Sequence, residues 1–366
     1  MLKNKEGVKR MNIAVVAETA PAKTLIPVIE KLDANVLSLT HSDMARELLE
    51  PYSLEMKSIG HGRRSGGVKN SNATIAKLVL KDTYSAYNAL KNKRLDLVMT
   101  CGNAGDVRKG ISAAKKLDIP KLHIEQDIYN PIEMIAYADL ITVPSNEYKK
   151  KLKKLYGIEN TVNIKGYPQA EYVLRHILKD PDDLYRHYGV SDFYVLFLGG
   201  DTRPSDIPEI IHQVELLNHN VLVVPYRFDA AYISKFVTKK GVYVIDGDVD
   251  LISLMNASEG VIYCSGMGVT IEVGALSVPA VKILGFHREH ASNDLALSLG
   301  INVVSIYEIH NAVEHMQTPF GSRLIKNGSK ASYKVAELAK NMNMFSGNSG
   351  GLSSLRKIWN QRKKYR

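Results

Sequence analysis

The sequence predicts an α/β protein built from two Rossmann-like domains facing a cleft. Three observations lead there. Short apolar runs rich in β-branched residues alternate with helical periodicity along both halves, which is the pattern of doubly wound parallel sheets. A chain of 366 residues is longer than one ordinary core and fits two domains of common size. A second series of alternating elements begins after a charged, mostly helical stretch near 174–189. The expected division is a first Rossmann-like domain at 1–175, a second at 190–345, and a linker with a basic tail at 346–366.

The first series starts at NIAVVA, residues 12–17, a buried strand followed by a helix at 24–32. A strand at 36–39, a helix at 43–49 and an extended piece near Ser58 come next. The segment GHGRRSGGVKN, residues 60–70, is a basic glycine-rich loop, read either as a surface loop or as a clamp for an anionic acceptor through Arg63 and Arg64. A long helix at 73–91 returns to a strand at 95–100. CGNAGDVRKG then turns into a helix at 111–117. Strands at 121–124 and 140–143, a lysine-rich helix, and a strand at 162–164 complete this half. Ligands of such sheets bind at the carboxyl ends of the strands. Those ends carry Glu18, the stretch Gly102 to Asp106 with Asn103, and Glu125, Gln126 and Asp127.

The second series runs through a strand at 194–198, the turn GGDTRPSD, and a helix at 208–217. A strand at 221–224, a helix at 230–237, a strand at 242–245 and a helix at 250–256 follow. A βαβ unit then spans the apolar run at 260–263, SGMGVTIEVGALSVPAVK at 265–282, and the strand it leads into. Gly266 and Gly268 let a phosphate approach backbone N–H groups at the start of a helix, whose dipole favours negative charge. Glu272 is placed about one turn later to accept hydrogen bonds from a ribose diol. The bland reading of the same residues is a tight turn with a surface glutamate. A strand at 302–305 and a helix at 332–342 follow, and SGNSGGLS at 346–353 reads as a flexible linker before a basic helix.

With 45% hydrophobic and 23% charged residues, the composition is that of a soluble globular protein. No apolar run approaches the roughly 20 residues that span a bilayer. The basic N-terminal MLKNKEGVKR precedes only a short apolar run ending at Glu18, so a signal peptide is not expected and the cytoplasm is. Cys101 and Cys264 end apolar runs in different halves, which suits reduced, buried thiols. Cys and His show no metal-ligand spacing, so neither a metal nor a resident cofactor is expected. The formal charge of +10 points to anionic partners. Six basic residues and no acid occupy 356–366, and 149–154 is nearly all lysine, which suggests peripheral contact with an anionic membrane surface. Aromatics are sparse in the tail and form no RNA-binding module, so nucleic acid is not expected.

Taken together, these motifs resemble the GT-B glycosyltransferases, and among them the MurG family of lipid-linked N-acetylglucosaminyltransferases. GGD at 199–201 resembles that family's GGS turn, and SGMGVTIEVGALSVPAV its SGA-x-T-x-x-E block. FHREHASND at 286–294 falls at its donor-sugar segment, IEQD at 124–127 resembles HEQN, and KGYP at 165–168 resembles TGNP. The resemblance implies transfer of a sugar, N-acetylglucosamine being expected, from a UDP-sugar substrate to a lipid-linked acceptor. It places Gly199, Gly200, Asp201, Thr202, Ile245, Ser265, Gly266, Met267, Gly268, Val269, Thr270 and Glu272 on the donor nucleotide. Arg203, His287, Arg288, His290, Ser292 and Asn293 go to the sugar or diphosphate. Arg63, Arg64, Asn103, Glu125 and Gln126 go to the acceptor, with Glu18, Asp106 and Asp127 as candidate bases. One segment departs: the family's GGTGGH after the first strand is AETAPAK here, residues 17–23. The alternative is an isomerase like the UDP-N-acetylglucosamine 2-epimerases, whose TRPE-x-x-x-x-APVI opening TAPAKTLIPVI at 19–29 resembles, with Ala20 and Ala22 in place of its arginine and glutamate.

Overall fold

The computed structural model describes residues 10–60, 64–65, 68–69, 71–345 and 349–364. The chain divides into two units, Met1–Pro168 with Ser329–Arg366, and Gln169–Gly328. The split falls between KGYP and the residue after it, a few positions before the boundary read from composition.

Unit one opens with β1 (Met11–Val16), α1 (Thr19–Ile29), β2 (Ala34–Thr40), α2 (Asp43–Leu49) and β3 (Glu55–Ser58). A small antiparallel pair, β4 (Arg64–Ser65) and β5 (Val68–Lys69), precedes α3 (Asn72–Leu90). Then come β6 (Leu97–Cys101), α4 (Gly105–Lys116), β7 (Lys121–Ile124), β8 (Leu140–Val143), α5 (Asn146–Tyr156) and β9 (Thr161–Asn163). Among the described residues these strands form a seven-stranded parallel sheet in the order β3-β2-β1-β6-β7-β8-β9. β6, β7 and β8 are buried at every residue, as strands covered by helices on both faces must be. The order reverses between β1 and β6, where Val16 pairs with Thr100. This is the switch point of unit one.

Helix α4 begins six residues earlier than the sequence suggests, because the turn needs little chain. Gly102 takes a positive φ of 74°, and Asp106 already sits in the first helical turn, where the helix dipole favours a carboxylate. Likewise α1 starts at Thr19, directly after Glu18. AETAPAK is therefore mostly helix, with Pro21 in the first turn, where its missing N–H costs nothing.

Unit two contains α6 (Pro168–Arg175, of which Pro168 falls in unit one), α7 (Pro181–Tyr188), β10 (Phe193–Leu198), α8 (Ile207–Glu215) and β11 (Asn220–Val224). It continues through α9 (Ala230–Ser234), β12 (Val242–Val244), α10 (Leu251–Ala257), β13 (Gly260–Cys264), α11 (Met267–Leu276), β14 (Ala280–Ile283), α12 (Ala291–Ser298), β15 (Asn302–Val304) and α13 (Ile309–Glu314). Its six-stranded parallel sheet runs β12-β11-β10-β13-β14-β15, with the reversal between β10 and β13. Leu196, Leu198, Ile210, Val223, Ile262 and Val281 form the centre of its core.

The chain re-enters unit one within α14 (Ser322–Lys340) and ends in α15 (Gly351–Lys363). The tail helix packs through Ser354 and Ile358, both buried, and Arg362 donates to the carbonyls of Asn130 and Pro131 at 2.9 and 2.7 Å. One of the tail's arginines is thus an internal strut of unit one. Residues 346–348 of the expected linker lie outside the described residues, as do Arg63 and the side chain of Arg64. No helix among the described residues is long and apolar enough to cross a membrane.

Candidate functional site

In unit two the two glycine-bearing motifs meet at the switch point. β10 and β13 are neighbours, with Leu198 opposite Cys264, so GGD and SGMG leave adjacent strand ends. The approach is close enough to demand glycine: a Cβ at Gly199 would lie 2.5 Å from the Ser265 Cβ and 2.6 Å from the Cys264 carbonyl oxygen. Gly266 is the N-cap of α11 and Met267 already belongs to the helix. The first N–H groups of that helix have no partner within it, and Gly266 and Gly268 are partly open to solvent. Such a helix start suits a phosphate. Thr202 and Thr270 brace the turns, bonding the carbonyls of Cys264 and Gly266 at 3.4 and 3.1 Å, while Ile245 and Val269 are buried.

Glu272 is no surface residue. It is buried in α11, and Gln169 Nε2 donates to its Oε1 at 3.0 Å and to the Gly268 carbonyl at 3.2 Å. Gln169 therefore fixes the glutamate relative to the helix start, a role the sequence did not signal. Asp201 also faces inward. Its Oδ1 accepts from the His287 N–H at 3.0 Å and its carbonyl from Phe286 at 3.2 Å, and a Cβ at Gly285 would strike its carboxylate. Asp201 thus shapes the loop that carries the expected sugar-binding residues.

In that loop His290 caps α12, with Nδ1 accepting from the Ser292 N–H at 3.0 Å. The neutral ring then carries its proton on Nε2, which lies over Gly266: a Cβ there would be 3.2 Å from Nε2. Asn293 donates to the Arg288 carbonyl at 2.9 Å, and Ser292 is buried. Arg288 and Arg203 are exposed, with the Arg203 guanidinium 5.9 Å from the Phe286 ring. Two cations went unnoticed in the sequence. Arg227, after β11, lies against Gly200, where a Cβ would be 3.2 Å from its Nη1. Its neighbour Tyr226 holds a left-handed φ of 54°. Lys282, within β14, is fully buried and donates to the Ser265 carbonyl, and burial pushes its ammonium down to about 8. A lysine inside an otherwise apolar strand was the available signal for it.

At the switch point of unit one the chemistry is carried by side chains. His41, the residue after β2, bonds Asp106 Oδ2 through Nδ1 at 2.8 Å and through its N–H at 3.0 Å. Glu18 Oε1 is 3.8 Å from the same Nδ1. Asp106 is fully buried and also receives Lys109 Nζ at 3.0 Å, which reaches Asp82 at 2.9 Å. The hydrogen bond that His41 donates to Asp106 raises the His41 pKa above its ordinary value, against the pull of burial. Burial pushes Asp106 up, but the hydrogen bond from His41 and the charge of Lys109 outweigh it and leave the carboxyl low. Glu18, His41 and Asp106 could in principle converge on a cation. Asp106, however, already holds an imidazole and an ammonium, which suits moving a proton better than holding a metal.

The remaining strand-end residues are hydrogen-bonded to the chain around them. Glu125 Oε1 accepts from the N–H groups of Gln126 and Asp127 at 2.9 and 2.7 Å, and His123 Nε2 sits 3.3 Å from Oε2. Gln126 donates to Thr24 at 3.0 Å, Asp127 accepts from the Tyr129 N–H at 3.2 Å, and Asn103 donates to the Asn130 carbonyl at 3.2 Å. All four fasten the chain after β6 and β7.

No protein-family model and no curated protein matches the chain. Solved structures do. A UDP-GlcNAc 2-epimerase of Methanocaldococcus jannaschii in complex with UDP-GlcNAc and UDP superposes with a TM-score of 0.68 at 16% identity, over 90% of this chain and 99% of that one. One from Neisseria meningitidis bound to UDP-GlcNAc gives 0.69 at 13% identity, over 91% and 99%. MnaA of S. aureus with UDP gives 0.67 at 14% identity, over 93% and 98%. The fold is GT-B.

These matches correct the expectation of a MurG-like transferase with a lipid-linked acceptor. The Methanocaldococcus and Neisseria structures, which cover 90% and 91% of this chain, are 2-epimerases. The physical reason is visible in the motifs. In sequence the glycine turns and Glu272 point to a nucleotide-diphosphate site, which an isomerase and a transferase would both require, so they do not separate the two. The acceptor side was where AETAPAK departed, and there the chain begins a helix next to a histidine–carboxylate array.

Proposed function

We propose that this protein is a UDP-sugar isomerase of the 2-epimerase type, acting on UDP-N-acetylglucosamine without a bound cofactor. The observation that carries the reading is the Glu18–His41–Asp106 array at the switch point of unit one. C2 of the sugar lacks an adjacent carbonyl, so its hydrogen is not acidic by itself. Inversion without a redox step is reached by elimination. The C1–O bond to UDP and the C2–H bond break and a C1=C2 bond forms; UDP then re-adds to C1 on the face it left, and a proton adds to C2 on the face opposite to the one it left. The chemistry needs a proton-accepting group, a donor for the return, and stabilised diphosphate charge. Unit one has the first two: an ionised Asp106 holds a readily protonated His41, with the half-buried Glu18 beside it. Unit two has the third in the helix start at Gly266–Gly268, with His290 and Arg227 alongside.

The test is incubation with UDP-N-acetylglucosamine in D2O with no acceptor, followed by proton NMR. The expected result is a second UDP-N-acetylhexosamine together with loss of the C2 proton signal. Glu18→Gln and His41→Gln are expected to stop both while calorimetric UDP binding persists. A protein that binds UDP yet gives neither isomer nor deuterium overturns the proposal.

A further inference from the structure

We propose that Lys282 is a buried counter-charge for the diphosphate, acting through the Ser265–Gly266 peptide as a positioning residue. The inference rests on the reading of unit two as a uridine diphosphate site and deepens it. Lys282 sits in β14 at zero exposure, and its Nζ donates to the Ser265 carbonyl while lying 5.2 Å from the Tyr263 ring. Among the described residues no carboxylate comes within ion-pair distance of it. A buried ammonium whose nearby carboxylate, Asp201, makes no ion pair with it is only partly compensated, which is unfavourable unless something offsets the remaining charge.

The geometry shows where compensation would act. In a trans peptide the C=O and the following N–H point in opposite directions. With the Ser265 carbonyl turned to Lys282 inside, the Gly266 N–H is turned away from it, on the side of the helix start. The ammonium polarises that peptide and strengthens its N–H as a donor. An anion there would also meet His290 Nε2, which lies over Gly266. Lys282 cannot touch such a ligand, because the turn separates them. Burial supports the same view: it depresses the ammonium, while Cys264 and Asp201 pull the other way. An anion across the turn would restore part of that loss.

The experiment compares wild type with Lys282→Gln, which keeps a donor for the Ser265 carbonyl and loses the charge, and with Lys282→Met, which loses both. Calorimetry with UDP, inorganic pyrophosphate and uridine is paired with thermal unfolding of ligand-free protein. Both variants are expected to bind UDP and pyrophosphate ~10-fold more weakly or worse, with uridine unchanged. Ligand-free Lys282→Met is expected to melt higher by ~2–4 °C, since a buried charge that makes no ion pair has been removed. A purely structural lysine gives the opposite: Lys282→Gln binds like wild type and Lys282→Met melts lower. If wild type binds UDP and Lys282→Gln equals it, this inference fails and the isomerase reading stands. If wild type ignores UDP but binds pyrophosphate through Lys282, the isomerase reading fails and this one stands. Binding of neither ligand overturns both.

Discussion

The two switch points solve different problems with different materials. In unit two the strand ends are lined by backbone and glycine, with Lys282 beneath a peptide and the Asp201 and Glu272 carboxylates each held by a hydrogen bond. In unit one the equivalent place holds buried ionisable side chains in contact: Asp106 with His41 and Lys109, and Lys109 with Asp82. A ring of backbone N–H groups holds an anion at any ordinary pH. A network of titratable side chains holds and releases protons. The same topology therefore presents backbone donors in one unit and titratable side chains in the other, the contrast on which the proposed isomerisation rests.

The largest effect expected from breaking this contrast is at Asp106. Asp106→Ala leaves the Lys109 ammonium and the His41 ring without their shared partner, and should cost ~3–5 kcal/mol in urea unfolding, with loss of isomerisation. Gly199→Ala tests the backbone side: the new Cβ meets the Cys264 carbonyl, and overpacking of ~1–3 kcal/mol with loss of UDP binding is expected. Wild-type-like stability and UDP affinity in that variant would show that the turns do not need their close approach. Smaller still is Arg227→Ala, which should weaken UDP ~10-fold by calorimetry and leave unfolding unchanged, because its guanidinium only covers Gly200 at the surface.

Unfolding against pH sharpens the comparison. In unit two Asp250 is pushed up by burial but held down to about 2 by His176 and Ser253, with His176 Nε2 3.0 Å from both its oxygens. Its contribution is complete above the ordinary value of 3.8 and is lost as pH falls through about 2. In unit one His41 is raised by its bond to Asp106, so its contribution is complete below 6.5 and disappears as pH climbs through the higher folded value. Asp250→Asn should flatten the acid limb and His41→Gln the alkaline one. An alkaline limb unchanged in His41→Gln would remove the histidine from the unit-one network.

Much of this was readable in the chain. Strands at 121–124 and 140–143 and the helix at 43–49 stand where their apolar runs and the Ser42 cap put them. SGMG opens a helix because glycines and the apolar run before it leave few other conformations. His41, Gln169 and Arg227 were not readable as site residues, since nothing in their neighbours in sequence marks them, and Lys282 stood out only as a lysine within an apolar strand. His41 follows one strand and Asp106 belongs to the helix after another, 65 positions on, and only sheet order brings the two strands to one end. The tail looked like a free basic surface because a lysine or arginine count carries no information on packing, whereas Arg362 is fixed by two carbonyls far away in sequence.

What the sequence by itself determined was the alternation of elements and the turns that must be glycine, because these follow from local backbone sterics and from period. What only the tertiary structure decided was which charges share a partner. Whether Glu272 faces solvent or Gln169, and whether Asp106 stands alone or neutralises a histidine and a lysine, depends on distances between strands that no local pattern encodes.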